Sequence, residues 1–522
     1  MPQDNKTFYI TTPIYYVNDV PHIGSAYTTI ACDCISRYKR LKGFDVCFLT
    51  GTDEHGQKIF KSAKEQNKSP QEHCDFIAGK FKELWTLLNI TYSRFSRTTS
   101  EKHEKIVQEF FKKVLDKGDI YESFYEGLYC EGCEDFKGEK ELLEGSLCPI
   151  HKLKVQDYKE KNYFFALSKY QDKLTKFLNE NPDFIEPPYR KNEVLGWVKE
   201  GLKDFPVTRQ SVSWGIPAPN DPKQTIYVWF DALIAYLSGL LDENEEPTIK
   251  NSIKKYWSSV VHIIGKDILR FHAVYWPCML MSAGLSLPNK VFGHGFLTKD
   301  GEKMGKTTGN IIDPYKLIDE FGCDAVRFFF LREITFGKDG DFTRENFINR
   351  INSDLANNLG NLLNRSLNLV IKNFNGTLNM EGKTTGNFLG LKEKFESTIV
   401  GFEKHMDNLE LKEALDILWQ FIDNTNKAFN DKVPWKLIKN NEIEAAKCCL
   451  YETLDILRNI SILVNPFIPE TSLKIYKQLG YDKLDEYKEW GNLGWGNNKN
   501  IFSVKEGSLI FPRIDTKSPI SN

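Results

Sequence analysis

The chain has 522 residues, of which 41% are apolar and 27% are charged. These values are ordinary for a soluble globular protein and exclude disorder over most of the chain, and at roughly 100–200 residues per domain the length predicts about three to four folding units. The 69 basic and 71 acidic residues leave a net charge of −2, so no global charge points to nucleic acid, although a local basic face is enough to bind it. No uncharged run reaches the roughly 18 residues of a membrane span.

The first 115 residues alternate strand and helix patterns, which predicts a parallel sheet covered by helices. The predicted elements are a strand at 7–12, a loop at 13–21, a helix at 24–41, a strand at 45–50, and helices at 57–67 and 71–88. Ligands bind such sheets beyond the carboxyl ends of the strands.

From about residue 116 to 224 this alternation stops, and short aromatic strands with Cys and Pro predict an insertion that has its own small core. The α/β pattern then returns with predicted strands at 225–230, 260–264 and 290–297 and helices at 231–241 and 268–283. After about residue 309 helical patterns dominate. One helix has an apolar face of Leu411, Leu415, Leu418, Ile422, Thr425 and Phe429, and another is predicted at 442–464. The tail after residue 480 stays unassigned.

A short motif, Pro21-His22-Ile23-Gly24-Ser25, lies between the first predicted strand and the first helix. A helix N-terminus presents N–H groups and a partial positive charge, both of which favour phosphate. Gly24 has no Cβ, so a flat purine can approach the backbone there, and His22 has a ring N–H to donate. The alternative is a Pro–His turn that only caps the helix.

A second motif, Lys303-Met304-Gly305-Lys306-Thr307, lies in a Gly-rich loop after the last predicted sheet strand. Two Lys three residues apart are suited to clamp a polyphosphate in a transition state. The alternative is a solvated basic loop.

Four residues with metal-ligand spacing lie in the insertion: Cys130 and Cys133, then Cys148 and His151 after 14 intervening residues. Two such pairs suit tetrahedral zinc, and because protein fills all four positions we predict one structural zinc ion. The alternative is four unrelated residues. The chain has eleven Cys, an odd number, and most are scattered singly, which predicts a reducing compartment.

The His22 motif and the Lys303–Thr307 loop together resemble the paired signatures of the class I aminoacyl-tRNA synthetases, and among them the methionyl-tRNA synthetase family. Four more segments resemble that family: IYYVN at 14–18, TGTDEHG at 50–56, YVWFDA at 227–232 and GKDILRFH at 265–272. The resemblance runs from about residue 7 to 467. It departs from the family at Ser25, where a second His is usual, and at Gly305 and Thr307, where Ser is usual.

The resemblance implies a two-step reaction. The carboxylate of methionine attacks the α-phosphorus of ATP, and a ribose hydroxyl at the tRNA 3′ end then attacks the acyl carbon. Neither step needs a protein nucleophile, so catalysis is by positioning and charge, for which His22, Lys303 and Lys306 are the implied residues. The implied ATP contacts are His22, Gly24, Ser25, Gly265, Asp267, His294 and Lys306, with Mg²⁺ bridging the phosphates.

The resemblance also implies a methionine pocket. Asp53 is the implied partner of the α-ammonium. The implied wall residues are Ile14, Tyr16, Trp229, Ala232, Leu233, Tyr236, Ile268, His272 and Trp276. Aromatic rings contact a thioether favourably, and Tyr16 and His272 are candidates for weak hydrogen bonds to the sulfur. Without the family, Trp229 and Trp276 would be interpreted as plain core.

In the helical part the resemblance implies anticodon contacts by Asn361, Arg365 and Trp435. Asn361 and Arg365 are four residues apart and share a helix face, and an aromatic ring can stack on an unpaired base. Without the resemblance, Asn361 and Arg365 would be interpreted as a solvated helix face, and Trp435 as a core residue that follows Pro434.

These observations predict an α/β protein: a Rossmann-type parallel-sheet catalytic domain with an inserted zinc-binding connective domain, followed by an all-helical anticodon-binding domain. The predicted boundaries are 1–115 and 225–297 for the two halves of the catalytic domain, 116–224 for the insertion, 298–350 for the linking segment with the Lys-Met-Gly-Lys loop, 351–480 for the helical domain and 481–522 for the tail. The expected partners are tRNA(Met), ATP and L-methionine. We expect a cytoplasmic protein without membrane contact, since the N-terminus shows no export or import leader. We also expect a monomer, since no long appended region follows the helical domain.

Two rival interpretations stay open. One is a class I synthetase for Leu, Ile, Val or Cys, although an insertion of about 109 residues is too short for the editing domain of the Leu, Ile and Val enzymes. The other is a non-catalytic RNA-binding relative or a tRNA-binding scaffold. Loss of His22 or Lys306 would favour that second rival, and both residues are present.

Overall fold

A computed structural model describes residues 6–130, 135–150, 152–304, 310–381, 386–481, 489–497 and 500–515. The strands are β1 Thr7–Tyr16, β2 Asp45–Asp53, β3 Arg94–Arg97, β4 Ile120–Cys130, β5 Asp135–Lys137, β6 Gln156–Phe165, β7 Ile185–Glu186, β8 Phe205–Pro206, β9 Thr208–Arg209, β10 Pro217–Ala218, β11 Asp221–Ile226, β12 Val260–Gly265, β13 Lys290–His294, β14 Leu297–Lys299, β15 Glu302–Lys303, β16 Gly340–Phe342, β17 Thr377–Asn379 and β18 Ile501–Ser503.

The helices of the first half are α1 Ile23–Leu41, α2 Gln57–Glu65, α3 Pro70–Leu87, α4 Glu101–Asp116, α5 Gln171–Glu180, α6 Pro188–Lys199, α7 Val228–Ser238, α8 Ile249–Ser252 and α9 Trp276–Ala283. Those of the second half are α10 Pro314–Phe321, α11 Cys323–Glu333, α12 Arg344–Arg350, α13 Asn361–Phe374, α14 Lys392–Asp407, α15 Leu411–Lys432, α16 Pro434–Lys439, α17 Ile443–Val464 and α18 Pro469–Gln478. Two π-helices, Phe271–Tyr275 and Ile351–Gly360, lead directly into α9 and α13.

The central sheet has the strand order β3-β2-β1-β12-β13-β7, and each of these pairings is parallel. The register of β1 against β2 shifts at a bulge between Thr11 and Ile14 and then sets Tyr16 opposite Asp53. The predicted parallel sheet is confirmed. The end of β1 and the end of β2 therefore bring these two side chains to the same edge.

Local sequence signals explain where the helices of this layer begin. Ser69 caps α3, because its hydroxyl accepts the N–H of Glu72 while that Glu bonds back to Ser69, and Pro70 occupies the first helical position. α7 is apolar around nearly its whole circumference, and ten of its eleven residues are buried between the sheet and α4. A helix with this pattern belongs in the interior.

Two element predictions in this region are wrong. The strand predicted at 225–230 ends at Ile226, and Val228 already begins α7. Val228, Trp229 and Phe230 favour strands by propensity, but burial on all sides of a helix overrides that preference. The loop predicted at 13–21 is also too long, since β1 continues past its bulge to Tyr16.

The insertion has its own antiparallel sheet, β5-β4-β6-β8, and a small apolar cluster of Cys130, Cys148 and Val155. The segment 116–224 nevertheless returns to the central sheet, because β7 pairs with β13. α5 and α6 flank that strand in the sequence, and their buried residues Leu174, Leu178, Val194 and Val198 belong to the same core as strands of the central sheet.

The second half is mainly helical, as predicted. All six residues of the apolar face predicted between Leu411 and Phe429 are buried in α15. The tail beyond residue 480 is part of this unit, since β18 pairs antiparallel with β17. Among the described residues no helix is long and apolar enough to cross a bilayer.

Candidate active site

A cleft of about 610 Å³ opens at the carboxyl ends of the central strands. Nine of the ten predicted methionine-pocket residues line it, and so do the six predicted ATP residues that the structure describes. Those lining residues are Ile14, Tyr16, Asp53, Trp229, Ala232, Leu233, Tyr236, Ile268 and His272 on one side and His22, Gly24, Ser25, Gly265, Asp267 and His294 on the other. The tenth pocket residue, Trp276, is fully buried one layer behind.

His22 is the N-cap of α1, and its Nδ1 accepts a hydrogen bond from the backbone N–H of Gly24 at 3.0 Å. A neutral ring that accepts at Nδ1 carries its proton on Nε2. A Cβ on Gly24 would lie 2.9 Å from Cε1 of His22, so only glycine lets the ring fold over the helix end. His22 therefore caps the helix, and its ring also lies on the wall of the cleft.

Ser25 has a structural role in the same turn. Its hydroxyl donates to the carbonyl of His22 at 2.7 Å and accepts the His22 N–H at 3.2 Å, which completes a capping box. The hydroxyl proton is thus directed at the backbone. At this position the departure from the family motif stabilises the helix end instead of adding a donor to the cleft.

Asp53 ends β2 and is 7% exposed, with Oδ1 buried at the cleft wall. Its register neighbour Tyr16 lines the same wall, and Nζ of Lys58 lies 5.8 Å from the centroid of the Tyr16 ring. A carboxylate in this setting is suited to pair with a small cation that enters the cleft.

The floor of the cleft holds a hydrogen-bonded pair, Tyr236 and His272. Nδ1–H of His272 donates to the carbonyl of Ile268 at 3.0 Å, so Nε2 accepts the proton of the Tyr236 hydroxyl at 2.7 Å. Burial lowers the pKa of His272 to about 4, which keeps the ring neutral at physiological pH. This pair forms a polar spot in the apolar floor.

A second histidine supports that floor from behind. Nε1–H of Trp276 donates to Nε2 of His262 at 3.3 Å, and Nδ1–H of His262 donates to the hydroxyl of Thr11 at 2.8 Å. Burial lowers the pKa of His262 well below its usual value. Trp276 thus acts through His262, whose ring centroid lies 4.4 Å from that of Tyr236.

The aromatic wall is formed by Trp229 and Phe271, whose rings stack at 3.7 Å with an angle of 5° between planes. Phe271 begins the π-helix that also carries His272, and such π-bulges occur frequently at functional sites. Phe271 was missed from the sequence, although it lies next to His272 in one of the family-like segments.

A buried charged network holds this wall to β2. Asp231 of α7 is fully buried, with Oδ2 2.7 Å from Nδ1 of His55 and Oδ1 2.5 Å from Nε2 of His103. Burial alone would raise the pKa of Asp231, but the two imidazoles outweigh it and lower that pKa. The network ties α7 and α4 to the turn that follows Asp53.

The opposite side of the cleft is built by Gly265, Asp267 and His294. A Cβ on Gly265 would lie 2.5 Å from Oδ1 of Asp267, so the carboxylate folds back over the end of β12. His294 donates from Nδ1 to the carbonyl of Gly295 at 2.8 Å and accepts the Thr28 hydroxyl at Nε2 at 2.7 Å. Burial lowers its pKa to about 4, so it presents a neutral ring.

Several residues of the cleft were not predicted from the sequence. Lys58 lines it from α2, and Lys137 and Ile150 line it from the insertion. The insertion therefore borders the cleft. No short-range pattern indicates this, because the cleft joins segments that are distant in the chain.

Of the two lysines of the second motif, only the backbone of Lys303 lies within the described residues. Lys303 ends β15, and β14 pairs with both β15 and β16. The side chain of Lys303 and all of Lys306 lie outside the described residues.

The predicted zinc ligands are described in part. Cys130 and Cys148 are buried in one cluster with Val155, and tight turns surround Cys148, whose carbonyl accepts the Lys152 N–H at 2.8 Å. Cys133 and His151 lie outside the described residues. Among the residues that are described, no group of three or more candidate ligands is assembled.

A second candidate site lies on the helical bundle. Asn361 and Arg365 are on α13, and the guanidinium of Arg365 lies 5.1 Å from the ring of Trp435 on α16. The same guanidinium is 5.3 Å from the buried ring of Phe429. Trp435 is 37% exposed, so it is not the core residue that its position after Pro434 suggested.

Comparisons with known proteins agree with this arrangement. A family described as tRNA synthetases class I (M) matches residues 8–159 and 138–367, and the anticodon binding domain of methionyl tRNA ligase matches residues 380–503. The chain belongs to the methionyl-tRNA synthetase family. We call Asn361, Arg365 and Trp435 the anticodon face, after the role that the resemblance to the family implies for them.

Individual relatives cover the whole chain. A methionine–tRNA ligase of Nostoc is 50% identical over 526 residues, covering 98% of this chain and 98% of its own. The chloroplastic/mitochondrial methionine–tRNA ligase of Arabidopsis thaliana is 48% identical over 98% of this chain and 84% of its own. The structure of Mycobacterium tuberculosis methionyl-tRNA synthetase in complex with methionyl-adenylate is 38% identical, with a TM-score of 0.91 over 97% of this chain and 100% of that one.

Proposed function

We propose that the cleft joins L-methionine to ATP and then to tRNA(Met). In the first step a carboxylate oxygen of methionine bonds to the α-phosphorus of ATP, and pyrophosphate leaves. In the second a ribose hydroxyl of the tRNA 3′ end bonds to the acyl carbon, its proton is lost, and AMP leaves. The observation that carries this proposal is the meeting of an anionic, aromatic pocket and a helix N-terminus in one cleft.

Methionine occupies the side of the cleft bounded by Asp53 and Tyr236. The Asp53 carboxylate pairs with the α-ammonium, which suits its position at the end of β2 and its low exposure. The thioether rests on the Trp229–Phe271 stack, since sulfur contacts aromatic rings favourably. The neutral pair of His272 and Tyr236 lies at the floor and contributes no charge near the apolar side chain.

ATP occupies the side formed by α1 and β12. The first turn of α1 presents backbone N–H groups and the positive end of the helix dipole to the phosphates, and Nε2–H of His22 adds a donor. Asp267 accepts from the ribose hydroxyls, and His294 lies against the base. Mg²⁺ enters with ATP as part of the substrate, since it bridges phosphate oxygens.

Lys303 and Lys306 stabilise the charge that develops on the α-phosphate and on the departing pyrophosphate. This role rests on the resemblance of their loop to the family's second signature. No described side chain is needed as a nucleophile, because the substrate carboxylate attacks directly.

The insertion binds one structural zinc ion through Cys130, Cys133, Cys148 and His151. The burial of Cys130 and Cys148 in one small cluster supports this, since thiolates held together away from water suit zinc. When bound, the ion would hold the two turns together next to the wall that Lys137 and Ile150 contribute to the cleft.

Cys148→Ser should lower the zinc content below about one per chain. Full zinc content in a Cys130→Ser/Cys148→Ser double variant would contradict the assignment.

The anticodon face binds the anticodon loop of tRNA(Met). Trp435 stacks on one base, and Asn361 and Arg365 bond to base edges or phosphates.

The described cysteines are free thiols, which fits a reducing compartment such as the cytoplasm. A monomer is the expected state, and light scattering of the purified protein tests it.

The deciding experiment is ATP–pyrophosphate exchange with each of the twenty amino acids in turn. Methionine should support exchange far better than the other nineteen. Exchange that depends on Leu, Ile, Val or Cys would establish the rival class I enzyme, and no exchange with any amino acid would favour the non-catalytic scaffold.

A further inference from the structure

α1 reaches from the cleft to the helical bundle. Its N-cap, His22, lines the cleft, and its last turn contacts the bundle through the side chains of Lys39 and Lys42. With 19 residues at 1.5 Å rise per residue, the helix is about 28 Å long. A single rigid element therefore touches both the ATP side of the cleft and the domain that carries the anticodon face.

In the middle of α1, a buried ion pair fixes the helix. Asp33 and Arg327 of α11 are both 0% exposed, and Oδ2 of Asp33 lies 2.7 Å from Nη2 of Arg327. Oδ2 also accepts Nε–H of Arg37 at 2.7 Å, and Oδ1 accepts the backbone N–H of Thr91 at 2.7 Å. Burial alone would raise the pKa of Asp33, but the two guanidinium groups outweigh it and lower that pKa, so the pair is ionised.

The remaining donors of Arg327 bind backbone carbonyls from two other segments. Nε donates to Phe467 at 2.9 Å and Nη2 to Pro466 at 2.9 Å, both in the turn between α17 and α18. Nη1 donates to Leu88 at 3.1 Å, just after α3. The side chain of Arg327 thus joins α1, the end of α3 and the helical bundle.

Two outer contacts reinforce the same junction. Lys39 of α1 pairs with Asp407 of α14 at 2.6 Å, and Lys42 pairs with Glu403 of the same helix. These pairs are partly exposed, so each is weaker than the buried pair beneath them. Together they show that α1 is held against the bundle along its carboxyl half.

We propose that Arg327 is a positioning residue that holds the helical bundle in a fixed orientation to α1, so that the cleft and the anticodon face engage one tRNA simultaneously. The planar guanidinium meets four oxygens in fixed directions, which a Lys ammonium cannot reproduce. Loosening the junction should therefore lower the charging of full-length tRNA, because binding at the anticodon face would no longer position the tRNA 3′ end in the cleft. This inference rests on the proposed function, because it requires one tRNA bound at both sites.

The test is Arg327→Lys, with Arg458→Lys as the matched control. Arg458 is also 0% exposed and bonds to Asp455 and to the carbonyls of Asn492 and Gly494, all within the helical bundle. Three rates are measured for each variant: methionine-dependent ATP–pyrophosphate exchange, charging of full-length tRNA(Met), and charging of a minihelix that contains only the acceptor stem.

Arg327→Lys should lower kcat/KM for full-length tRNA about 10-fold, within the usual range of coupling between sites. Exchange and minihelix charging should keep the wild-type rate, since neither uses the bundle, and Arg458→Lys should leave all three rates unchanged. Unaltered charging of full-length tRNA, or an equal fall in exchange, would overturn the proposal.

If Arg327→Lys does not fold, the double variant Lys39→Ala/Lys42→Ala loosens the outer contacts without a buried change. It should show the same selective loss in weaker form, and normal charging of full-length tRNA by this folded variant would refute the inference. Failure of the proposed function is distinguishable, because the wild-type protein would then lack methionine-dependent exchange.

Discussion

Asp53 in the cleft is 7% exposed, whereas Trp435 on the anticodon face is 37% exposed. The cleft collects side chains from several sheet strands, from α1 and α7, and from the insertion, and two of its histidines, His272 and His294, are neutral because they are buried. The anticodon face takes its residues from two helices, and its central contact is a guanidinium beside a half-exposed ring.

The difference indicates two ways to recognise a ligand. A buried site loses much free energy when one charged partner is removed, because the other is left without compensation in a low dielectric. An exposed stacking ring loses only its own contact with the base. Variants in the cleft should therefore have larger effects, and should affect amino-acid activation, while variants of the anticodon face should affect only tRNA.

The largest effect is expected for Asp53→Ala. Removing one partner of a buried charge pair costs about 2–5 kcal/mol, so methionine affinity should fall by more than roughly 30-fold while ATP affinity stays unchanged. Isothermal calorimetry measures both. Asp45→Ala at the opposite end of β2 is the control and should bind methionine normally; equal methionine affinity in wild type and Asp53→Ala would exclude the ammonium-pairing role.

Lys306→Ala should come next. Loss of one preorganised donor to transition-state charge slows the chemical step by about 10²–10³. Stopped-flow measurement of adenylate formation should show that loss with little change in substrate affinity, and transfer from preformed adenylate to tRNA should be nearly normal. Lys316→Ala, an exposed lysine on α10, is the control. An ATP affinity that falls by the whole factor at an unchanged rate would make Lys306 a ground-state binding residue.

Trp435→Ala should have a smaller effect, confined to tRNA. Stacking of a base on an aromatic ring contributes about 1–3 kcal/mol, so charging efficiency should fall about 10-fold while adenylate formation is intact. Trp495→Ala is the control, because this half-buried tryptophan packs on Phe395 and not on Arg365. A parallel fall of adenylate formation would identify Trp435 as a structural residue.

The smallest effect is expected on the pH dependence of stability, and it comes from His272, a buried histidine of the cleft. The pKa of His272 is about 4 in the folded chain and about 6.5 when unfolded, so between these values the unfolded state binds more protons. Its contribution to stability is complete above pH 6.5 and is lost as pH falls toward 4. At pH 5.5 the loss is about 1–2 kcal/mol, which urea unfolding of wild type and His272→Gln should show as a flatter pH slope in the variant.

His22, Asp53 and Asp267 were predicted because short segments of the sequence resemble those of the family. All three line one cleft, because their segments follow or end parallel strands, whose carboxyl ends meet at one edge of the sheet. Trp276, which the same resemblance assigned to the pocket wall, is fully buried behind the cleft, and its role in the methionine site stays a prediction. Phe271, Lys137 and Ile150 were missed, because their place in the cleft depends on a π-helix and on how the insertion packs.

The sequence by itself determined which residues carry charge, that strands and helices alternate in the first 115 residues, and that a helix begins just after His22. These properties are local and follow from residue type and spacing. The tertiary structure alone decided that the Ser25 hydroxyl completes a capping box, that α7 replaces a strand at Val228, and that Arg327 joins α1 to the helical bundle. Each of these depends on burial and on hydrogen-bond partners that are distant in the chain or shared within a turn, and residue spacing does not specify them.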